Sequence, residues 1–160
     1  MKPPLVSLKP LDGTNKNKDK TMCWGVYLGS DVELPQVEWE EASPAFNTQP
    51  LSDTEERVRI QFSLPHVIYL GSHEGCSCGF FGEDDDKPED KNRRIEDTKR
   101  LSKYMREALD AGANLEMFLC WQGGEIEPQV TRKQLTPKDF LLPEFPLKEN
   151  EFVMIVSTAD

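Results

Sequence analysis

Asn92-Arg93-Arg94-Ile95-Glu96-Asp97-Thr98-Lys99-Arg100-Leu101-Ser102-Lys103-Tyr104-Met105-Arg106-Glu107-Ala108-Leu109-Asp110-Ala111, then Gly112-Ala113-Asn114, then Leu115-Glu116-Met117-Phe118-Leu119-Cys120-Trp121, is the stretch that decides the fold. The first segment places Ile95, Leu101, Met105, Ala108 and Leu109 on one helical stripe, with Gly112 where a helix ends in a left-handed residue. The third is a short apolar run bounded by glycines, the mark of a buried strand. Upstream, His66–Ser72 is a similar apolar run. Strand, helix and strand at this spacing predict a right-handed crossover and a parallel pair between 66–72 and 115–121.

Working outward, Thr21–Ser30 predicts a strand ending in a glycine turn. Its alternation puts Cys23, Gly25 and Tyr27 on one face and Trp24, Val26 and Leu28 on the other, so it reads as a central strand. Val58-Arg59-Ile60-Gln61-Phe62 alternates strictly and predicts a half-buried strand in a hairpin with 66–72. Residues 31–56, with Pro35, Pro44 and Pro50, predict an irregular connection pinned by Trp39 and Phe46. Thr136-Pro137-Lys138-Asp139 predicts an N-cap and a short helical turn, and Glu151–Ser157 a last strand. Val26–Asp31 echoes Ile68–His73, a likeness that two buried strands ending in a glycine turn reach by chance. The expected fold is α+β: a mixed, mostly antiparallel sheet of about five strands with one long helix packed on a face. Residues 1–20, rich in Pro, Asn and Lys, read as a flexible basic tail, and 21–160 as a single α+β domain. Met22 is an alternative start that would make Cys23 an N-terminal nucleophile, an arrangement the 21 preceding residues argue against.

Charge bounds the partners. The chain of 160 residues carries −10, and the five lysines and two aspartates of residues 1–21 leave −13 on the remainder. Such a body repels phosphate backbones, which argues against nucleic acid and is compatible with a basic protein partner. No apolar run reaches the ~18 residues of a membrane span, and the lysine-bearing start has no apolar signal region. The expected location is therefore cytoplasmic, and the cysteines reduced thiols. Glu83–Asp90 holds six acids, but their spacing is not that of a calcium loop, and carboxylates before a helix favour its dipole.

The chemistry sits in His73-Glu74-Gly75-Cys76-Ser77-Cys78-Gly79, after the second strand. Ligands bind at the carboxyl ends of parallel strands, and the end of 115–121 brings Cys120 to that edge. Cys23 reaches the same edge if its strand runs antiparallel to 115–121. Cys23, Cys76, Cys78 and Cys120 are then a candidate zinc set, with His73 as a substitute ligand. As a catalytic alternative, Cys76 or Cys78 is the nucleophile and His73 or His66 the base, and a redox C-x-C couple is a third use. The bland reading makes the thiols small buried hydrophobes, and Glu125 and Glu127 solvated loop charges. The sequence favours a small acidic protein acting by binding, of the immunity or inhibitor type toward a basic partner, without catalysis. The alternative is a thiol site on the Cys76/Cys78 loop, a structural zinc or a cysteine-dependent enzyme.

Overall fold

The computed structural model describes residues 23–82 and 87–157. The basic tail and the alternative start at Met22 lie outside the described residues, as do residues 83–86, the first half of the acidic run. The chain folds as α+β, around a six-stranded sheet of β1 (Trp24–Ser30), β2 (Asn47–Gln49), β3 (His66–Gly71), β4 (Leu115–Trp121), β5 (Thr131–Leu135) and β6 (Glu151–Ile155). The spatial order is β2-β3-β1-β4-β6-β5. Every neighbouring pair is antiparallel except β5 and β6, which run parallel from Thr131 opposite Glu151 to Leu135 opposite Ile155.

β1 is central, and its alternation fills both faces. Val26 and Leu28 join Leu70, Met117, Leu119 and Val153 under helix α1 (Pro88–Asp110), which contributes Leu101, Met105 and Ala108. Tyr27 joins Val67, Tyr69, Phe118, Cys120 and Phe152 on the other face, which Val58 covers. Full burial of each large apolar side chain stabilises by about 1.5–3 kcal/mol. The helix ends as its sequence predicts. Gly112 takes φ +98°, its N–H bonds the Leu109 carbonyl at 2.9 Å, and the Ala113 N–H bonds that of Ala108 at 3.0 Å, a Schellman closure. Thr136 caps the turn Pro137–Leu141, its N–H bonded to Asp139 Oδ2 at 2.8 Å.

Several expectations are corrected. Residues 58–62 form no strand. Glu56–Gln61 is a 3₁₀ turn that buries Val58 and leaves Ile60 74% exposed. A hairpin there would need the edge of β3, which β2 occupies. Five alternating residues are too few to distinguish the two periods. β3 and β4 point the same way but are not paired, because β1 lies between them and is antiparallel to both. β2 and β5 went unread. One is a three-residue strand inside the proline-rich connection, and the other, Thr-Arg-Lys-Gln-Leu, is a polar edge strand. The helix starts at Pro88, and Ile95 is 48% exposed. Its buried face runs instead through Asp97, Leu101, Ser102, Met105 and Ala108, since Asp97 and Ser102 bond inward to His73 and to the Pro137 carbonyl. Phe46 pins the connection, edge-on to Tyr104, while Trp39 stays 41% exposed. The echoing segments are neighbours in the sheet, with Tyr27 opposite Tyr69.

Candidate metal-binding thiol site

The loop after β3 is built by short hydrogen bonds around Ser72. The Ser72 hydroxyl donates to the Cys76 carbonyl at 2.6 Å and accepts the N–H groups of Glu74 and Gly79 at 3.1 and 3.0 Å. Gly75, at φ +88°, makes the reversal. β2 clamps the loop from outside: Asn47 Nδ2 donates to the Ser72 carbonyl at 3.1 Å, and Gln49 Nε2 to that of Gly75 at 2.7 Å. The 3₁₀ turn Ser77–Phe80 follows, and Ser77 wedges it into the sheet. Its buried hydroxyl donates to the Leu70 carbonyl at 2.5 Å and accepts the Val26 N–H at 3.0 Å.

This holds Cys76 and Cys78 against the start of β1. The sulfurs of Cys23, Cys76 and Cys78 all lie within 4.8 Å of one another, and each residue is half-buried. The Trp24 N–H donates to Cys78 Sγ at 3.3 Å. Trp24 also stacks on Trp121 with centroids 3.6 Å apart and lies 5.3 Å from Phe81, giving the trio an aromatic neighbour.

No family model matches this chain, and neither a curated protein nor a solved structure matches it. Among the described residues, no helix is long and apolar enough to cross a membrane.

Two residues of the proposed ligand set stay apart from the trio. Cys120 is opposite Gly25 in the ladder and lies in the same core cluster that Cys76 packs against, but its sulfur is not among those within 4.8 Å of one another, and burial pushes its thiol up to about 12. His73 is buried and turned toward the helix. Its Nδ1 lies 2.6 Å from Asp97 Oδ2, its backbone N–H bonds the same oxygen at 2.9 Å, and its Nε2 faces Glu74 at 3.9 Å. His66 opens β3, opposite Ser30 and so at the far end of β1 from Cys23. Among the described residues the group of mutually close donors contains sulfur alone.

The three thiols differ in acidity. Cys76 is lowered to about 6, chiefly because the Cys78 thiol donates to it, helped by the Cys78 backbone N–H and by Cys23 and opposed by burial. The same bond raises Cys78, together with burial, and burial raises Cys23. One thiolate shared among three sulfurs is a start on the charge that a soft cation would complete.

Cys76 also borders a cavity of about 570 Å³ lined by Glu55, Arg57, Tyr69, Gln122 and Glu125. Glu125 is not a solvated loop charge: it is 3% exposed and accepts from Arg57 Nη2 at 2.9 Å and from the Gly123 N–H at 3.0 Å. Glu127 is exposed, as the sequence reading has it. Glu55 accepts from the Tyr27 hydroxyl at 3.0 Å and the Ser52 N–H at 2.9 Å, and burial, with Glu55 alongside, raises the Tyr27 phenol. The sequence reading missed Glu55 and Arg57. The signal for Glu55 was the Ser52-x-x-Glu55 spacing of a capping box, here closing a turn.

Proposed function

We propose that this protein binds a soft metal ion, zinc in the first instance, through Cys23, Cys76 and Cys78. The observation that carries the reading is the mutual approach of those three sulfurs within 4.8 Å. Tetrahedral zinc with Zn–S bonds of about 2.3 Å sets its sulfurs roughly 3.8 Å apart, so a small contraction suffices. The Trp24 N–H bonded to Cys78 Sγ supplies the kind of outer donor that orients and stabilises a ligating thiolate. A bound ion ties the start of β1 to the loop after β3 and stabilises the fold by mass action.

Native mass spectrometry of protein purified under reducing conditions tests this. The expected result is one zinc mass, removed by chelator and absent from Cys78→Ser. An apo mass at saturating zinc, with every thiol free, overturns it.

A second reading, association with a basic protein, is favoured by the ribbon after β1. Glu38, Glu40 and Glu41 are exposed around Trp39, whose indole lies over Gly75 of the thiol loop. Acids beside an exposed tryptophan suit a cationic partner anchored by an aromatic contact. A partner captured at low salt and lost on reversing Glu38, Glu40 and Glu41 to lysine supports it. Capture unchanged by the reversal counts against it.

A further inference from the structure

Three sulfurs leave a tetrahedral ion one ligand short, and the surroundings bear on whether the fold supplies the fourth. His73 has Nδ1 engaged by Asp97 and Nε2 facing Glu74, and Cys120, although in the cluster that Cys76 packs against, does not join the sulfurs that lie within 4.8 Å of one another. Among the described residues no carboxylate or imidazole joins the sulfur group. One side of the trio, by contrast, meets open space. Cys76 lines the 570 Å³ cavity, and so does Gln122, whose backbone N–H donates to the Cys23 carbonyl at 2.9 Å.

We infer that the fourth ligand is a small exogenous molecule that reaches the ion through this cavity, making the site an open, substrate-binding one and not a closed structural centre. The inference rests on the metal reading above. Three protein ligands with a free position are the arrangement of zinc sites that polarise a bound oxygen or nitrogen, whereas structural sites close with four.

Charge selects the class of ligand. Three thiolates around a divalent ion carry a net negative charge. Glu55 and Glu125 add two carboxylates at the cavity wall, and Arg57 offsets one of them. Anions are repelled from such a cavity, so it takes a neutral or amine-bearing polar molecule with an oxygen or nitrogen donor.

The test uses the full chain loaded with cobalt(II), whose sulfur-to-metal charge-transfer band reports the trio directly. Imidazole, as the neutral probe, should shift the ligand-field spectrum saturably, and azide should bind at least about tenfold more weakly. Gln122→Trp, which narrows the cavity beside Cys23, should weaken imidazole about tenfold and leave the charge-transfer band intact. Absence of that band from the unmodified protein means that the metal reading itself fails. A band that imidazole leaves unchanged, azide binding tighter than imidazole, or Gln122→Trp with unaltered affinity overturns the inference while the metal reading stands.

Discussion

Ser77→Ala should destabilise this protein more than the loss of one surface hydroxyl would lead one to expect. Ser77 is fully buried between the two site cysteines, and its Oγ mediates between two strands. It donates to the Leu70 carbonyl at 2.5 Å and accepts the Val26 N–H at 3.0 Å, where the β1–β3 register begins. Both Val26 and Leu70 are 0% exposed, so alanine leaves a donor and an acceptor in the interior without partners. Each such group costs roughly 1–3 kcal/mol, giving a loss of about 3 kcal/mol, a large share of the ~5–15 kcal/mol that holds a typical domain together. Urea unfolding followed by the fluorescence of the stacked Trp24 and Trp121 measures it. With a slope of roughly 2 kcal/mol per molar, the midpoint should fall by about 1.5 M. Thr98→Ala, which removes an exposed helix hydroxyl bonded at 3.0 Å to the Ile95 carbonyl, is the control, expected within about 0.5 kcal/mol of the parent. A Ser77→Ala loss below about 1 kcal/mol would refute the reasoning that the hydroxyl is structural mortar between strands.

Three further outcomes follow from the site and its supports. Arg57→Ala should cost about 2–4 kcal/mol by stranding the buried Glu125 carboxylate, and Glu125→Gln only about 1 kcal/mol because the half-exposed guanidinium left behind is hydrated; equal losses in urea melts would contradict this. Burial raises the Asp97 carboxyl above its ordinary 3.8, with the His73 bonds opposing. Its folded form thus holds a proton more tightly than its unfolded form, so this group's share of stability falls as pH rises upward from about 4 through the folded pKa. Asp97→Asn should flatten that slope in urea midpoints taken across the window, and an unchanged slope counts against the assignment. In metal-free protein, iodoacetamide should label Cys76 with a rate that rises through pH about 6, while Cys120, pushed to about 12, stays unlabelled until unfolding. Peptide mapping showing Cys120 labelled as fast as Cys76 would be inconsistent with the burial that separates them.

The sequence carried the large periodicities and lost the local ones. The helix, its glycine stop and the strands at 24–30, 66–71, 115–121 and 151–155 were legible because each is long and apolar enough to show its period. Val58–Phe62 failed because five alternating residues also fit a single turn, with Val58 inward and Ile60 in solvent. Asn47–Gln49 was invisible for the opposite reason: three polar residues have no period, and their purpose is side-chain bonding to the thiol loop. The meeting of Cys76 and Cys78 with Cys23 followed from strand direction, since β1 runs antiparallel to β4. What alternation could not tell is that Cys120, on the same face as Tyr27 and Phe118, is buried in the core and does not join the close group of three sulfurs. His73 drew attention as a base beside thiols, but its partner, Asp97, sits 24 residues on, a polar residue hidden on the buried face of a helix.

The position of β1 also bears on how the chain assembles. It precedes all other described strands in sequence yet sits third of six in the sheet, and its second partner, β4, begins 85 residues after β1 ends. Pairings that span such distances pay loop-closure entropy before they return any contact, which slows folding. During synthesis β1 and β3 can pair as soon as residue 71 is free, but Val26, Tyr27 and Leu28 then lie on an open, strongly apolar edge until residues 115–121 emerge. Unpaired apolar edges invite association with other chains, so that interval is when this protein is most exposed to misassembly.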